Sequence, residues 1–547
     1  MTGRAVRTGL ALALLGFLCV APMQSQELGT ITFPTSGAEA AQEAFLEGVK
    51  SLHSFQFDEA ALAFRRAQEI DPAFALAYWG EAMSYNHPLW AQQDTEAAKA
   101  ALNRIAPTLE GRLERAKLPK EKALIEAAEV LFSSPGDKLA RDEAYSDVMA
   151  RLHAQWPDDH EIATFYALSL LGTVRPGDTG FRRQALAASI AQKVFNENPD
   201  HPGAAHFVIH AFDDPDHAVL ALPAARAYAD IAPAAAHALH MPSHIFVQLG
   251  MWEGVVASNI DAYAAAVEVN TRLNLAEGRE DFHTLSWLLY GNLMLGQTDE
   301  ALQNVELARE AMERNPDSQS IRNGYLGMRA RFLLETAEWE ETAPVTSSSS
   351  GHDEHAGMSM PGMTMPDYDG SSTWTFFAGM SAAMRGEAAA AGQAVSQLAE
   401  VRRQTEADGR AYGAKGIEIM EKEVAALAHL ESGRPEDAIR LAKEAVDIEL
   451  TMNAPSGPPD PIKPALELYG DVLLAAERPA EAMTAYEQAL LRMPRRTPAL
   501  LGLARAAVAA GEADTARQAY QDLASMPGAR QDAPALQEAR TYLQSSE

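Results

Sequence analysis

Residues 470–494 read GDVLLAAERPAEAMTAYEQALLRMP, and residues 48–72 read GVKSLHSFQFDEAALAFRRAQEIDP. In each, a glycine is followed by alanine 12 positions on, an aromatic at 16, a second alanine at 19 and proline at 24. The residues are Gly470, Ala482, Tyr486, Ala489 and Pro494 in one stretch, and Gly48, Ala60, Phe64, Ala67 and Pro72 in the other. Small residues let two antiparallel helices approach, and an aromatic fills the space between them. Proline closes the unit because it cannot continue a helix. Five matched positions, found twice and far apart, predict a helical hairpin used as a repeat.

The pattern resembles the tetratricopeptide repeat, a helix–turn–helix unit of about 34 residues. Weaker copies lie between and beyond the two stretches. Ala426, Ala438, Ala442 and Ala445 keep the ladder of small residues, and Ala504, Ala516 and Tyr520 follow one period after Gly470. Leu249-Gly250-Met251-Trp252-Glu253 and Leu295-Gly296-Gln297-Thr298-Asp299 read as turns leading into second helices. The resemblance covers nearly the whole chain after its N-terminus, with degenerate repeats between 91 and 200. It implies an all-α, tetratricopeptide-like helical solenoid, a superhelix of antiparallel helix pairs. In that family the first helices line a concave groove, and most members are scaffolds. The resemblance alone therefore implies a protein–protein interaction scaffold docking a peptide.

Length and charge agree with a repeat array. A single core stops growing at about 250–300 residues, and this chain has 547. With 45 Lys+Arg against 75 Asp+Glu the net charge is −30, which gives no electrostatic basis for holding nucleic acid. The N-terminus reads MTGRAVRTGLALALLGFLCVAPMQSQE. Two arginines, a short apolar run and small residues are the layout of a cleaved signal peptide, assigned to residues 1–25. Its removal takes away Cys19, the one cysteine, so the mature chain carries no thiol into an oxidising compartment. A periplasmic or secreted location is expected, with no membrane insertion after cleavage.

One segment has no helical period. Residues 343–372 include SSSSGHDEHAGMSMPGMTMPDYDG and read as a flexible loop. This loop is expected to separate an N-terminal array (37–342) from a C-terminal array (373–545). It carries His352, His355, Met358, Met360, Met363 and Met365. Thioether sulfur suits Cu(I) and imidazole suits Cu(II), and the segment is similar to the His/Met-rich segments of periplasmic copper-handling proteins.

Histidine sets the chain apart from a plain scaffold. Of 15 histidines, seven lie between 201 and 244: His201, His206, His210, His217, His237, His240 and His244. His206 and His210 are four apart, on one face of one helix. His240 and His244 repeat that spacing 34 residues later. By the resemblance, His237, His240, His244 and His283 fall at groove-facing places of first helices. His206, His210, His237, His240, His244 and His283 are thus expected to converge on the concave wall.

Neutral imidazole is the commonest protein ligand for zinc and copper. The expected cofactor is a copper or zinc ion, serving metal handling or a metal-dependent reaction. Asp213, Asp214 and Asp216 are candidates to orient the imidazoles; Glu161 and Glu81 are candidate carboxylates on the same wall. His87 and Trp90 are candidates for the rim of the groove. Nothing in the spacing demands catalysis. Neither His pair has the glutamate of H-E-x-x-H, and no G-x-x-x-x-G-K-[ST] loop is present.

Overall fold

The computed structural model describes residues 27–178, 180–342 and 370–545. The expected signal peptide and the His352–Met365 segment lie outside the described residues. Helix follows helix throughout. The strands among the described residues are a two-residue pair, Asn86–His87 against Gln92–Gln93, flanking the short turn Pro88–Trp90. No helix among the described residues is long and apolar enough to cross a membrane.

The repeat is held together by the glycines and aromatics that revealed it. Gly470 lies in the helix Ala465–Ala475, Tyr486 in Pro479–Arg492 and Gly502 in Thr497–Ala510. A β-carbon on Gly470 would stand 2.7 Å from the Tyr486 ring, and one on Gly502 would stand closer still. The N-terminal copy does the same: Gly48 and Gly80 both face Phe64, with 2.8 Å left for a β-carbon on Gly48. Each second helix therefore pushes one ring between the glycines of its own first helix and the next. Removing such a buried ring costs about 3–5 kcal/mol.

The turn inside each repeat needs a residue at positive φ. Gly250 (φ +63) supplies it, with its N–H bonded to Val247 O and that of Met251 to Phe246 O, the glycine-ended helix stop. In the first repeat the same place is held by Phe55 at φ +54, its N–H on Leu52 O and that of Gln56 on Ser51 O. A side chain there costs about 1 kcal/mol that glycine would not. The position of the Phe55 ring, described below, shows what is obtained in exchange.

Two features depart from an open, neighbour-by-neighbour solenoid. The helix Glu39–His53 lies against the helix Pro202–Ala211, far along the chain. Ion pairs Arg272–Glu59 (3.1 Å) and Arg279–Asp58 (2.8 Å) fasten that first repeat to the middle of the molecule. The histidine region is consequently covered, and the expected open wall is a buried one. The last repeats also fold back. Trp252 Nε1 donates to Arg495 O (3.0 Å), Gln248 Nε2 donates to Pro455 O (2.8 Å), and buried Arg496 binds Glu467 and Glu335.

The helix Gly370–Met384 begins three residues inside the segment expected to be loop. The two main hydrophobic cores meet at Phe246, which packs against both, about a hundred residues before that loop.

Candidate metal centre

The six histidines sit on four helices. Pro202 starts the helix Pro202–Ala211, which carries His206 and His210. Pro242 interrupts the next first helix, so His237 and His240 lie on Ala236–His240 and His244 on Pro242–Gln248, with Met241 at the joint. His283 lies on Glu280–Met294. The packing of these helices sorts the side chains into two sets: His206, His210 and His237, and His240, His244 and His283. Within each set one nitrogen from every ring falls within 4.8 Å of the others. Each set keeps one sequence pair whole and adds a third ring: His237 joins His206 and His210, and His283 joins His240 and His244.

The sets adjoin. Ring centroids of His210 and His244 are 6.1 Å apart, and those of His237 and His240 are 6.3 Å apart.

The proton inventory gives these contacts their meaning. His240 Nδ1 lies 2.7 Å from Asn259 Oδ1, whose amide nitrogen donates to Val255 O. The acceptor fixes the proton on Nδ1 and leaves a bare lone pair on Nε2. His244 Nδ1 lies 2.6 Å from Asp213 Oδ2, with the same consequence. The two stripped Nε2 atoms face each other at 3.1 Å, and His283 Nε2 stands 2.9 Å from that of His240. In the first set His206 Nδ1 donates to His53 O (2.7 Å), and its Nε2 meets His237 Nε2 at 3.0 Å. Both nitrogens of His210 are buried without a hydrogen-bond partner.

Protonation of five of the six rings does not relieve the crowding. Burial, reinforced by the neighbouring imidazoles, pushes His206, His210, His237 and His283 well below the ordinary histidine range. Burial and His244 bring His240 down to about 3. Lone pairs converging without protons are what a cation takes up. Around an ion at about 2.0–2.1 Å from each nitrogen, tetrahedral ligands lie about 3.3 Å apart. Each set offers three nitrogen donors and no anionic one, a donor chemistry suited to copper or zinc.

The other candidates fall elsewhere. Of the three aspartates only Asp213 reaches the cluster. Asp214 Oδ1 accepts from His217 Nδ1 at 2.8 Å and from the Asp216 backbone N–H at 3.0 Å. Glu81 is taken by Arg65, Arg104 and Gln68. Glu161 is buried between His53 Nε2 (2.8 Å) and His201 Nε2 (3.2 Å). Burial would raise its carboxyl, but the two imidazoles outweigh that and hold it well below the usual range.

His53 was not singled out by the sequence. It lies far from the cluster in the chain and has no spaced partner. The one local sign is Gly203, where a β-carbon would stand 2.5 Å from the His53 ring.

Aromatic packing fixes the ring planes. Trp287 stands 4.5 Å from His244 and 4.8 Å from His240, and Tyr228 stacks on His206 at 5.1 Å. Phe55 lies 4.3 Å from His206, 5.6 Å from His210 and 5.4 Å from His237. The strained turn thus delivers one ring onto all three histidines of the first set.

Comparison with known proteins gives the following. Residues 473–542 match the tetratricopeptide repeat family. No curated protein sequence matches the chain. Among solved structures, the chain is similar to yeast Tom70, at 12% identity and TM-score 0.28, covering 93% of this chain and 96% of that one. It is also similar to the P58(IPK) TPR domain, at 13% identity and TM-score 0.20, covering 93% and 99%. Human IFIT1 bound to m7Gppp-AAAA matches at 13% identity and TM-score 0.28, covering 90% of each chain.

Proposed function

We propose that this tetratricopeptide-repeat protein is a metal-binding protein that holds two copper or zinc ions, one in each histidine set. The observation that carries the reading is the pair His240 and His244. Both Nδ1 protons are committed to oxygen acceptors, so two lone pairs face each other at 3.1 Å in a buried site. Buried polar atoms left in that state are costly, and a bound cation turns the cost into ligation. Asp213 and Asn259 then serve as the partners that orient ligating imidazoles.

The test is equilibrium dialysis of chelator-treated protein against Cu(II) and Zn(II), followed by elemental mass spectrometry. Two ions per chain are expected, falling to one in a His240→Ala/His244→Ala variant that keeps its circular dichroism spectrum. Binding of neither metal by the folded protein overturns the reading.

The reading extends to export through residues 1–25 and to a supply role for the His352–Met365 segment. Deletion of 351–368 tests the latter. It should slow loading from a Cu(I) donor and leave the final stoichiometry at two.

A second reading rests on the repeat match over 473–542. The repeat fold suggests a protein partner. Pull-down with chelator present separates the two: a stoichiometric partner retained without metal makes the protein a scaffold first.

A further inference from the structure

A cavity of about 100 Å³ lies beside the first histidine set, with His237 and Glu280 in its wall. Four further rings stand in one part of that wall. Phe55 and Phe57 come from the turn and second helix of the first repeat, and His87 and Trp90 from the short β excursion. The rings brace one another. Phe57 stacks on His87 at 4.0 Å, Trp90 stands edge-on to Phe55 at 5.3 Å, and Phe55 and Phe57 are stacked at 5.5 Å. Two residues with side chains sit at positive φ around it, Phe55 (+54) and Ala91 (+49) next to Trp90. Such strain persists where surrounding structure imposes it, and it gathers at ligand sites. Here it aims Phe55 and Trp90 at one space.

We infer that this cavity binds a neutral, single-ring aromatic molecule carrying a hydroxyl, a phenol, and presents it to the metal pair at His237. The second half of that statement rests on the metal reading above; the first half does not. Size, wall and charge select the ligand. Apolar cavities on the order of 150 Å³ admit a benzene ring, and the volume of about 100 Å³ here is on the scale of one small ring. Edge and face contacts from four rings favour a π-system over an aliphatic of equal size.

The charged groups of the wall are Asp58, Glu59, Arg279 and Glu280. Arg279 pairs with Asp58 and Arg272 with Glu59. Among the described residues Glu280 forms no ion pair with a lysine or arginine and meets His237 Nδ1 at 3.5 Å. The surplus is negative, which disfavours carboxylates and phosphates. Glu280 also offers an acceptor for a ligand hydroxyl on the side of the cavity that leads to His237.

The experiment titrates phenol, benzoate and cyclohexanol into chelator-treated full-length protein by isothermal titration calorimetry. Phenol should bind once per chain, with benzoate and cyclohexanol each about tenfold weaker or more. Trp90→Ala should weaken phenol about tenfold while leaving cyclohexanol little changed. Glu280→Gln keeps the rings and should narrow the gap between phenol and benzoate, which covers the case where Trp90→Ala does not fold. Phenol that fails to bind, or binds no better than cyclohexanol, overturns the site.

The link to the metal is read separately, on Co(II)-loaded protein. Phenol should shift the cobalt d–d bands, and saturation with phenol without such a shift overturns the connection to His237. Should no Co(II) bind, the shift is read on the Cu(II) d–d bands instead; should copper and zinc also fail to bind, the metal reading fails, while the calorimetry still decides the cavity.

Discussion

Two clusters in this molecule use the same side chains, lie in the same buried interior and carry opposite proton inventories. In the His53–Glu161–His201 cluster every close contact joins a ring nitrogen to a carboxylate oxygen. The backbone N–H of Ala204 points at His201 Nδ1 (3.3 Å), so the proton of His201 sits on Nε2, facing Glu161. A carboxylate with two N–H donors is satisfied. In the six-histidine cluster the close contacts join nitrogen to nitrogen, and the available protons point away, toward Asp213, Asn259 and the His53 carbonyl. The first arrangement satisfies its carboxylate, although His53 Nδ1 has no hydrogen-bond partner among the described residues; in the proposed reading a cation completes the second. Proximity of ligand-type residues does not distinguish them. The direction in which each imidazole has spent its proton does.

Removing Glu161 should have the largest effect on the fold and none on the metals. Glu161→Ala leaves His53 and His201 facing nothing in a buried site, and the loss should be about 3–5 kcal/mol in chemical denaturation. Folded Glu161→Ala protein should still bind two ions per chain. A loss of metal would mean that the two clusters are one site.

Metal should stabilise the six-histidine cluster by mass action. At free metal a hundredfold above the dissociation constant, each site adds about 2.7 kcal/mol, so the melting temperature should climb with metal concentration. Glu161→Ala should climb in parallel from its lower start. A wild-type melting curve indifferent to both metals would erase the contrast drawn here.

His210 gives a smaller and sharper effect, with a sign that depends on metal. Both of its nitrogens are unpaired, so His210→Leu should leave the metal-free protein as stable or more stable, by about 1–3 kcal/mol. The same variant should lose one ion. Destabilisation without metal would show that the His210 ring is held by contacts other than ligation.

Acid should separate the clusters further. Burial depresses His206, His210, His237 and His283, and brings His240 down to about 3. Between that value and the ordinary histidine range the unfolded chain takes up protons that the folded chain refuses. Metal-free stability must then fall as pH drops below about 6.5. Glu161 is also depressed, but its contribution is present above the ordinary glutamate range and is lost only below about 4.5. From pH 7 to 5 the decline in melting temperature should come mainly from buried histidines, and His210→Leu should make it shallower.

Much of the fold could be read from residues. The glycine, alanine and aromatic positions at 48–72 and 470–494 are the contacts that hold each hairpin to the next. The 34-residue echo of His206/His210 in His240/His244 marked four of the six histidines that the structure gathers into two groups. The third ring of each set was out of reach, because His237 joins His206 and His210 rather than its own neighbours His240 and His244, while Pro242 breaks the helix between them. Burial was out of reach too. A repeat pattern speaks of neighbours, whereas the helix Glu39–His53 reaches the helix Pro202–Ala211 across the molecule, bringing His53 and Phe55 with it. Phe55 itself was hidden by its place in the chain, where the turn position invites glycine.

Crystals of the metal-loaded protein, with anomalous difference maps on both sides of the copper or zinc absorption edge, decide whether the histidine sets hold ions. Two peaks are predicted, one inside each histidine set and each about 2.0–2.1 Å from the ligating nitrogens, with none at Glu161. A map without peaks at the six histidines, or with its strongest peak between His53, Glu161 and His201, would contradict the account.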